Sequence, residues 1–341
     1  MTRPTGMTGT AQTTAATART SPTGLVDVHA HFVTDRYVAA ARVAGIAHPD
    51  GMPGWPAWSV DQHLDVMDRS GIDKSYLSIS SPGVHFGDDK AARALAREVN
   101  EFGAGVRGER PERFGHFAAL PLPDVDGALA ETAHALDVLG ADGVAVETNH
   151  HGLYLGAPRL EPLWQELDRR GALVFVHPTS PPRADEVDLG RPRPMLEFLF
   201  DSARAASDLL LRGVLARHAR IRWVLTHGGG ALPLLADRME LFRALLSADT
   251  DGRSADGSAV EQLSRLWYDM AGTPFPRQVP ALRAAFGTER LLYGSDYCWT
   301  PAASVVEQVA SVDAAEQPAD GGTWRDLTTR NAHRLFTPDP A

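Results

Sequence analysis

The chain is poor in the residues on which several kinds of site depend. Cysteine occurs once, at Cys298, which excludes an intrachain disulfide framework and a cysteine-rich zinc site. Lysine occurs only at Lys74 and Lys90, and arginine supplies the rest of the positive charge. Lys+Arg is 33 against Asp+Glu 43, a formal net charge of −10. Such a surface repels phosphate backbones, so neither nucleic acid nor an anionic membrane is an expected partner. No apolar run approaches the ~20 residues of a membrane span. What the chain does have is a 43% hydrophobic fraction, enough for a sizeable core, and 13 histidines.

Residues 1–23 are rich in Thr, Ala and Gly and hold almost no large apolar side chain. They cannot bury enough surface to offset their ordering entropy and are expected as a disordered extension. They lack the apolar stretch of a secretory signal and the amphipathic face of a transit peptide, which leaves the cytoplasm as the expected compartment. Residues 24–341 are expected to form the folded domain.

From Leu25 onward short β-like runs alternate with helix-like runs. The expected strands are Leu25–Ala30, Ser75–Ser80, Phe114–Leu120, Gly143–Glu147, Ala172–His177, Arg222–His227, Trp267–Ala271 and Leu291–Ser295. Most are continuous apolar or β-branched runs, as in strands covered on both faces. Helical spacing is read before Gly71, over Ala91 to Phe102, over Val125 to Leu139, over Leu160 to Leu167, over Met195 to Leu215 and over Trp324–Phe336, the last expected to close the barrel. Eight such alternations predict an α/β fold, a (β/α)8 barrel with long βα loops. No GxGxxG fingerprint follows the first strand, which weakens a dinucleotide-binding reading. Loops are expected at His48–Pro56, Pro178–Pro194, Ser247–Ser258 and Thr273–Pro276.

The strongest local signal is Val26-Asp27-Val28-His29-Ala30-His31. Residues two apart on a strand share a face, so His29 and His31 both point into the barrel mouth. The fifth strand ends in His177, the sixth in His227 and the eighth in Asp296. Any one of these histidines alone reads as a satisfied buried side chain, but polar tips on four strands at one rim argue against accident. Asp27 either orients a neighbouring group or is structural.

The set His29-X-His31, His177-Pro178, Thr226-His227-Gly228-Gly229 and Gly294-Ser295-Asp296 resembles the amidohydrolase superfamily. It is most similar to the branch with aminocarboxymuconate-semialdehyde, γ-resorcylate and 6-methylsalicylate decarboxylases. Arg113-Phe114-Gly115, Leu120-Pro121-Leu122, Asn331-Ala332 and Arg334-Leu335-Phe336 extend the likeness over residues 25 to 336. The resemblance implies His29, His31, His177 and Asp296 as ligands of one divalent metal. Zn²⁺ suits these donors best, with Mn²⁺ and Fe²⁺ open. It implies His227 as the proton-handling group, with Asp296 as a second catalytic residue, no organic cofactor, and a homodimer.

The superfamily's lysine-bridged metal pair is excluded, because the fourth strand, Gly143–Glu147, carries no lysine. A mononuclear carboxy-lyase acting on a small aromatic or dienoic carboxylic acid, 6-methylsalicylate-like first, is the expected activity. The alternative is a hydrolase or hydratase of a lactone, amide or keto acid on the same scaffold, since function lies in the pocket rather than the fold. A non-catalytic binding protein on a decayed barrel is the third reading, against which all five site residues stand intact. Trp55, Phe86 and Trp299 are candidates to flank a flat ring, and His85 and Arg183 to hold a carboxylate. Asn149 and Tyr154, after the fourth strand, are candidates to touch substrate. Each of the seven has packing or solvation as its plainer reading.

Overall fold

The structure is a computed structural model that describes residues 24–246, 257–319 and 322–337. The expected extension at 1–23 and most of the expected loop at 247–258 lie outside these residues. Eight parallel strands run in chain order around the barrel: β1 (Leu25–His31), β2 (Ile72–Ser78), β3 (Phe114–Ala119), β4 (Gly143–Glu147), β5 (Leu173–His177), β6 (Arg222–Leu225), β7 (Trp267–Asp269) and β8 (Leu291–Leu292). The ring closes between first and last strands, where Val28 N–H donates to the Tyr293 carbonyl at 3.0 Å and Asp296 N–H to that of His29 at 2.8 Å. Asp27, fully buried, fastens the same seam. It accepts from Ser295 N (2.9 Å), Ser295 Oγ (2.6 Å) and His29 N (3.1 Å).

The barrel interior is filled in layers, as this fold requires. Phe336 stacks on Tyr76 with ring centroids 3.8 Å apart, Tyr76 on Phe117 at 5.5 Å, and Phe117 on Phe175 at 5.3 Å. The terminal helix, Trp324–Phe336, thus plugs the bottom of the barrel, and Phe175 forms the floor on which the His29 ring stands, 5.2 Å away. A second cluster fills the space between strands and helices, with Leu77, Val144, Val174, Trp164 and Leu209 fully buried.

The expected strands are all present, with shifted ends. β2 starts at Ile72, ahead of expectation, because the polar pair Asp73-Lys74 hid the exposed end of an otherwise buried strand. β6 and β8 stop short of His227 and Asp296. Those residues take φ of 52° and 57°, a left-handed backbone that no strand accommodates. The run expected as one helix over Met195–Leu215 is broken. Helix Glu197–Leu211 ends before Gly213, whose φ of 69° resets the chain for a short turn at Val214–Arg217. A two-stranded hairpin, Asn149–His150 with Leu153–Tyr154, follows β4 and was not anticipated.

Leu335 is fully buried in the bottom plug. Leu335→Ala is expected to cost about 2–5 kcal/mol of stability through the cavity it leaves, measured by urea unfolding.

Candidate metal centre

Four side chains from three strand ends meet over Phe175. One ligand atom from each of His29, His31, His177 and Asp296 lies within 4.8 Å of all the others. His29 Nε2 and His31 Nε2 are 3.0 Å apart, and Asp296 Oδ1 stands 3.4 and 3.3 Å from them. All three histidines are buried.

The outward nitrogen of each ring decides what the inward one offers. His29 Nδ1 donates to Asp269 Oδ2 at 2.9 Å. Ser78 Oγ gives its proton to the Ala30 carbonyl and so accepts from His31 Nδ1 at 3.0 Å. His177 Nδ1 donates to the Pro178 carbonyl at 2.7 Å. Each Nε2 is therefore the nitrogen left to face the centre, and a metal ligand needs its lone pair there once any second proton is given up. Three imidazole nitrogens and one carboxylate oxygen so converged fit a divalent cation.

The electrostatics agree. Burial opposes a charge on His29, yet the carboxylates of Asp269 and Asp296 outweigh it and hold the imidazole up at about 10. Burial, then the charges of His31 and His29, push His177 well below its ordinary value. Burial would raise Asp296, but His29 and the bonds from His227 and His31 keep its carboxyl well below the usual range. In the free protein the two carboxylates are thus balanced by a proton on His29, and a dication at the four donors would take that proton's place.

His227 lies beside this group. Its Nδ1 donates to Thr226 Oγ1 at 3.1 Å, because the Thr226 hydroxyl is itself committed to the Val176 carbonyl. Its Nε2 faces Asp296 Oδ2 at 3.4 Å. With both nitrogens against acceptors, the ring is placed to pass a proton toward Asp296.

Asp269 was not among the sequence candidates. Its Oδ2 holds His29, while Oδ1 accepts from His227 N and Ala271 N, each at 2.9 Å. One carboxylate so positions the His29 ring and the backbone of His227. The signal available in sequence was a lone acid in the apolar run Trp267–Ala271. Asp27, by contrast, touches no imidazole ring: burial pushes it up to about 6, and its bonds go to the barrel seam.

A cavity of about 860 Å³ opens onto His177, His227 and Asp296, walled by Phe198, Phe275 and Met195 among others. Of the seven pocket candidates, Trp299 alone borders it. His85, Phe86, Asn149 and Arg183 border a neighbouring cavity of about 620 Å³, because the loops after β2 and β4 fold toward each other away from the metal group. His85 bonds Asp89 and His151 there, and Arg183 is exposed with Glu186 3.6 Å away. Trp55 donates to the Ile46 carbonyl and packs on Tyr37 and Trp299. Tyr154 donates to Asp201, a carboxylate that also binds Asn149. Asp50 and Arg277, which border the larger cavity, were missed; they sit on irregular loops with no strand period to flag them.

Fold and site together define a class, the barrel proteins with a metal-binding His-X-His pair on the first strand. The chain belongs to the amidohydrolase family, whose pattern matches residues 26–337. A decarboxylase of Aspergillus niger is 34% identical, covering 84% of this chain and 81% of its own. The 6-methylsalicylic acid decarboxylase of Penicillium expansum is 33% identical, covering 91% and 95%. The solved structure of an amidohydrolase II superposes with a TM-score of 0.84 at 31% identity, covering 92% and 99%. That of a Polaromonas dihydroxybenzoic acid decarboxylase with bound manganese does so with 0.77 at 21%, covering 93% and 98%.

Asp269→Asn is expected to lower metal affinity roughly ten- to hundredfold by releasing the His29 ring. Competition with a chelating dye would measure it; unchanged affinity would remove Asp269 from the centre.

Proposed function

We propose that the protein is a metal-dependent, non-oxidative decarboxylase of a small aromatic hydroxy acid, a carbon–carbon lyase. The observation that carries this reading is the pairing of a single four-donor metal group with an adjacent proton carrier, at the base of a largely apolar cavity with ample room for an aromatic acid. The decarboxylases among its relatives support it.

A bound divalent ion would be held by His29, His31, His177 and Asp296, and would supply Lewis-acid fixation and polarisation of the substrate's oxygens. Zinc is our assignment from the donor types. Manganese, present in the Polaromonas decarboxylase, is the alternative that metal analysis would decide.

The chain's own residues then handle binding and the proton. Trp299 and Phe198 offer flat and apolar surface to the ring. Arg277, exposed at the cavity wall, is its one guanidinium and suits the carboxylate of an incoming acid. His227, through Asp296 or directly, delivers a proton to the ring carbon that bears the carboxylate. The bond to the carboxyl carbon then breaks, its electron pair returns to the ring, and CO₂ leaves. One proton is consumed per turnover, and His227 recovers it from solvent, to which its side chain is partly open.

We assign a homodimer as the working state. Leu234, Leu241, Phe242 and Leu245 are exposed along helix Leu232–Leu246, a stripe of apolar side chains that water does not favour. No helix among the described residues is long and apolar enough to cross a membrane.

His177→Ala is expected to lose bound metal and activity together. His227→Ala is expected to keep much of the metal and lose about 10²–10⁴-fold in kcat. Metal analysis with headspace CO₂ from a panel of hydroxybenzoates measures both. Turnover of lactones or amides without CO₂ release would replace the lyase reading by a hydrolase. Leu241→Asp with Leu245→Asp is expected to shift the dimer to monomer on size-exclusion chromatography.

A further inference from the structure

Besides the metal group and His227, the larger cavity is bordered by one more carboxylate, Asp50. It sits in the turn Pro49–Gly51 with φ of 51°. Its Oδ1 takes both bonds from Ser180, from N at 3.2 Å and Oγ at 2.6 Å. Burial pushes the carboxyl above the usual range, and the hydroxyls of Ser180 and Ser81 and the charge of Arg193 only partly offset this. The carboxylate is thus held firmly through Oδ1 at the cavity wall.

Its position gives that carboxylate a use. Ser180 follows β5 and Ser81 follows β2, so Asp50 is anchored on the β3–β4 side of the mouth. Arg277 follows β7, on the other side. The metal group, carried by β1, β5 and the segment after β8, lies between them. Asp50 also borders the smaller cavity and so forms part of the partition between the two. A ring seated at the metal group with its carboxylate toward Arg277 turns its far edge to Asp50. An ionised carboxylate only accepts hydrogen bonds. A hydroxyl or amino substituent at that edge adds a donor to it, a methyl offers none, and a second carboxylate is repelled.

We propose that Asp50 is a specificity-determining residue that selects aromatic acids carrying a hydrogen-bond-donating substituent, hydroxyl or amino, on the ring edge away from the reacting carboxylate, and rejects a second carboxylate there. The assignment rests on the decarboxylase reading for the identity of the acid, and on the cavity wall alone for the donor preference.

The test uses the metal-loaded full chain and isosteric salicylate pairs that differ only by hydroxyl against methyl at each open ring position. The wild type is expected to favour the hydroxyl member of at least one pair by roughly ten- to hundredfold in kcat/KM. Asp50→Asn is expected to narrow that ratio, and Asp50→Leu to abolish or invert it; both are expected to admit a hydroxyisophthalate that the wild type excludes. A role confined to holding the Ser180 loop would lower all members equally and leave the ratio unmoved, and that result overturns the proposal. Asp50→Asn, nearly isosteric, decides the matter if the leucine variant does not fold. In parallel, the matching phenols are titrated by quenching of tryptophan fluorescence, since Trp299 borders the cavity. A phenol preference that follows Asp50 while no acid releases CO₂ removes the decarboxylase reading and keeps this one. CO₂ release with a ratio indifferent to Asp50 does the reverse.

Discussion

Two imidazole nitrogens stand 3.0 Å apart, each with its other nitrogen already donating outward. That contact is repulsive unless positive charge lies between or beside the rings. The rest of the upper barrel is arranged around this constraint. Asp269 and Ser78 fix the rings from behind, Asp296 faces them from the front, and His177 completes the ring of donors with its own Nδ1 tied to a carbonyl. The proton that Asp269 and Asp296 hold on His29 supplies that charge in the free protein, and a dication at the four donors would supply it in its place.

The barrel supplies this geometry by linking distant pieces of chain through buried carboxylates. Asp27 binds β1 to the segment before Asp296, and Asp269 binds β7 to both His29 and the backbone of His227. Each carboxylate accepts from several donors, which is the condition for keeping such a group buried at tolerable cost. The left-handed backbones at His227 and Asp296 fit the same logic. The chain must leave the strand direction abruptly to return these side chains over the centre, and strain of that kind collects where function over-determines the backbone.

Much of this was legible in sequence because it is periodic. The two-residue alternation of β1 places His29 and His31 on one face, and apolar runs ending in His177 and His227 mark a rim. Pattern marks these tips as one rim; which of them would hold a metal is what the resemblance to the family implies. What pattern does not encode is the direction in which irregular loops fold. His85, Phe86, Asn149 and Arg183 follow strands β2, β4 and β5 as expected, yet the loops after β2 and β4 close on each other and carry them to a second cavity. Asp50 and Arg277 reach the metal cavity from loops with no period. Asp269 lay inside an expected strand and was passed over because one acid in a short apolar run does not announce its partner 240 residues away.

The charge distribution links site to substrate. A chain of net charge −10 disfavours any anion at long range, and the mouth adds Asp50 and Glu147 to Asp296. Glu147 is raised well above its usual range by burial and by the charge of Asp50, so the partition between the cavities contributes less repulsion than its two carboxyls suggest. An acid entering this cavity nonetheless needs positive charge close at hand, and two sources would meet that need: Arg277 at the wall and a dication held by the four donors at the base. Both act within a few ångströms, where they outweigh the screened field of the surface. Selectivity for a small acid would then arise from where the positive charge sits rather than from how much there is.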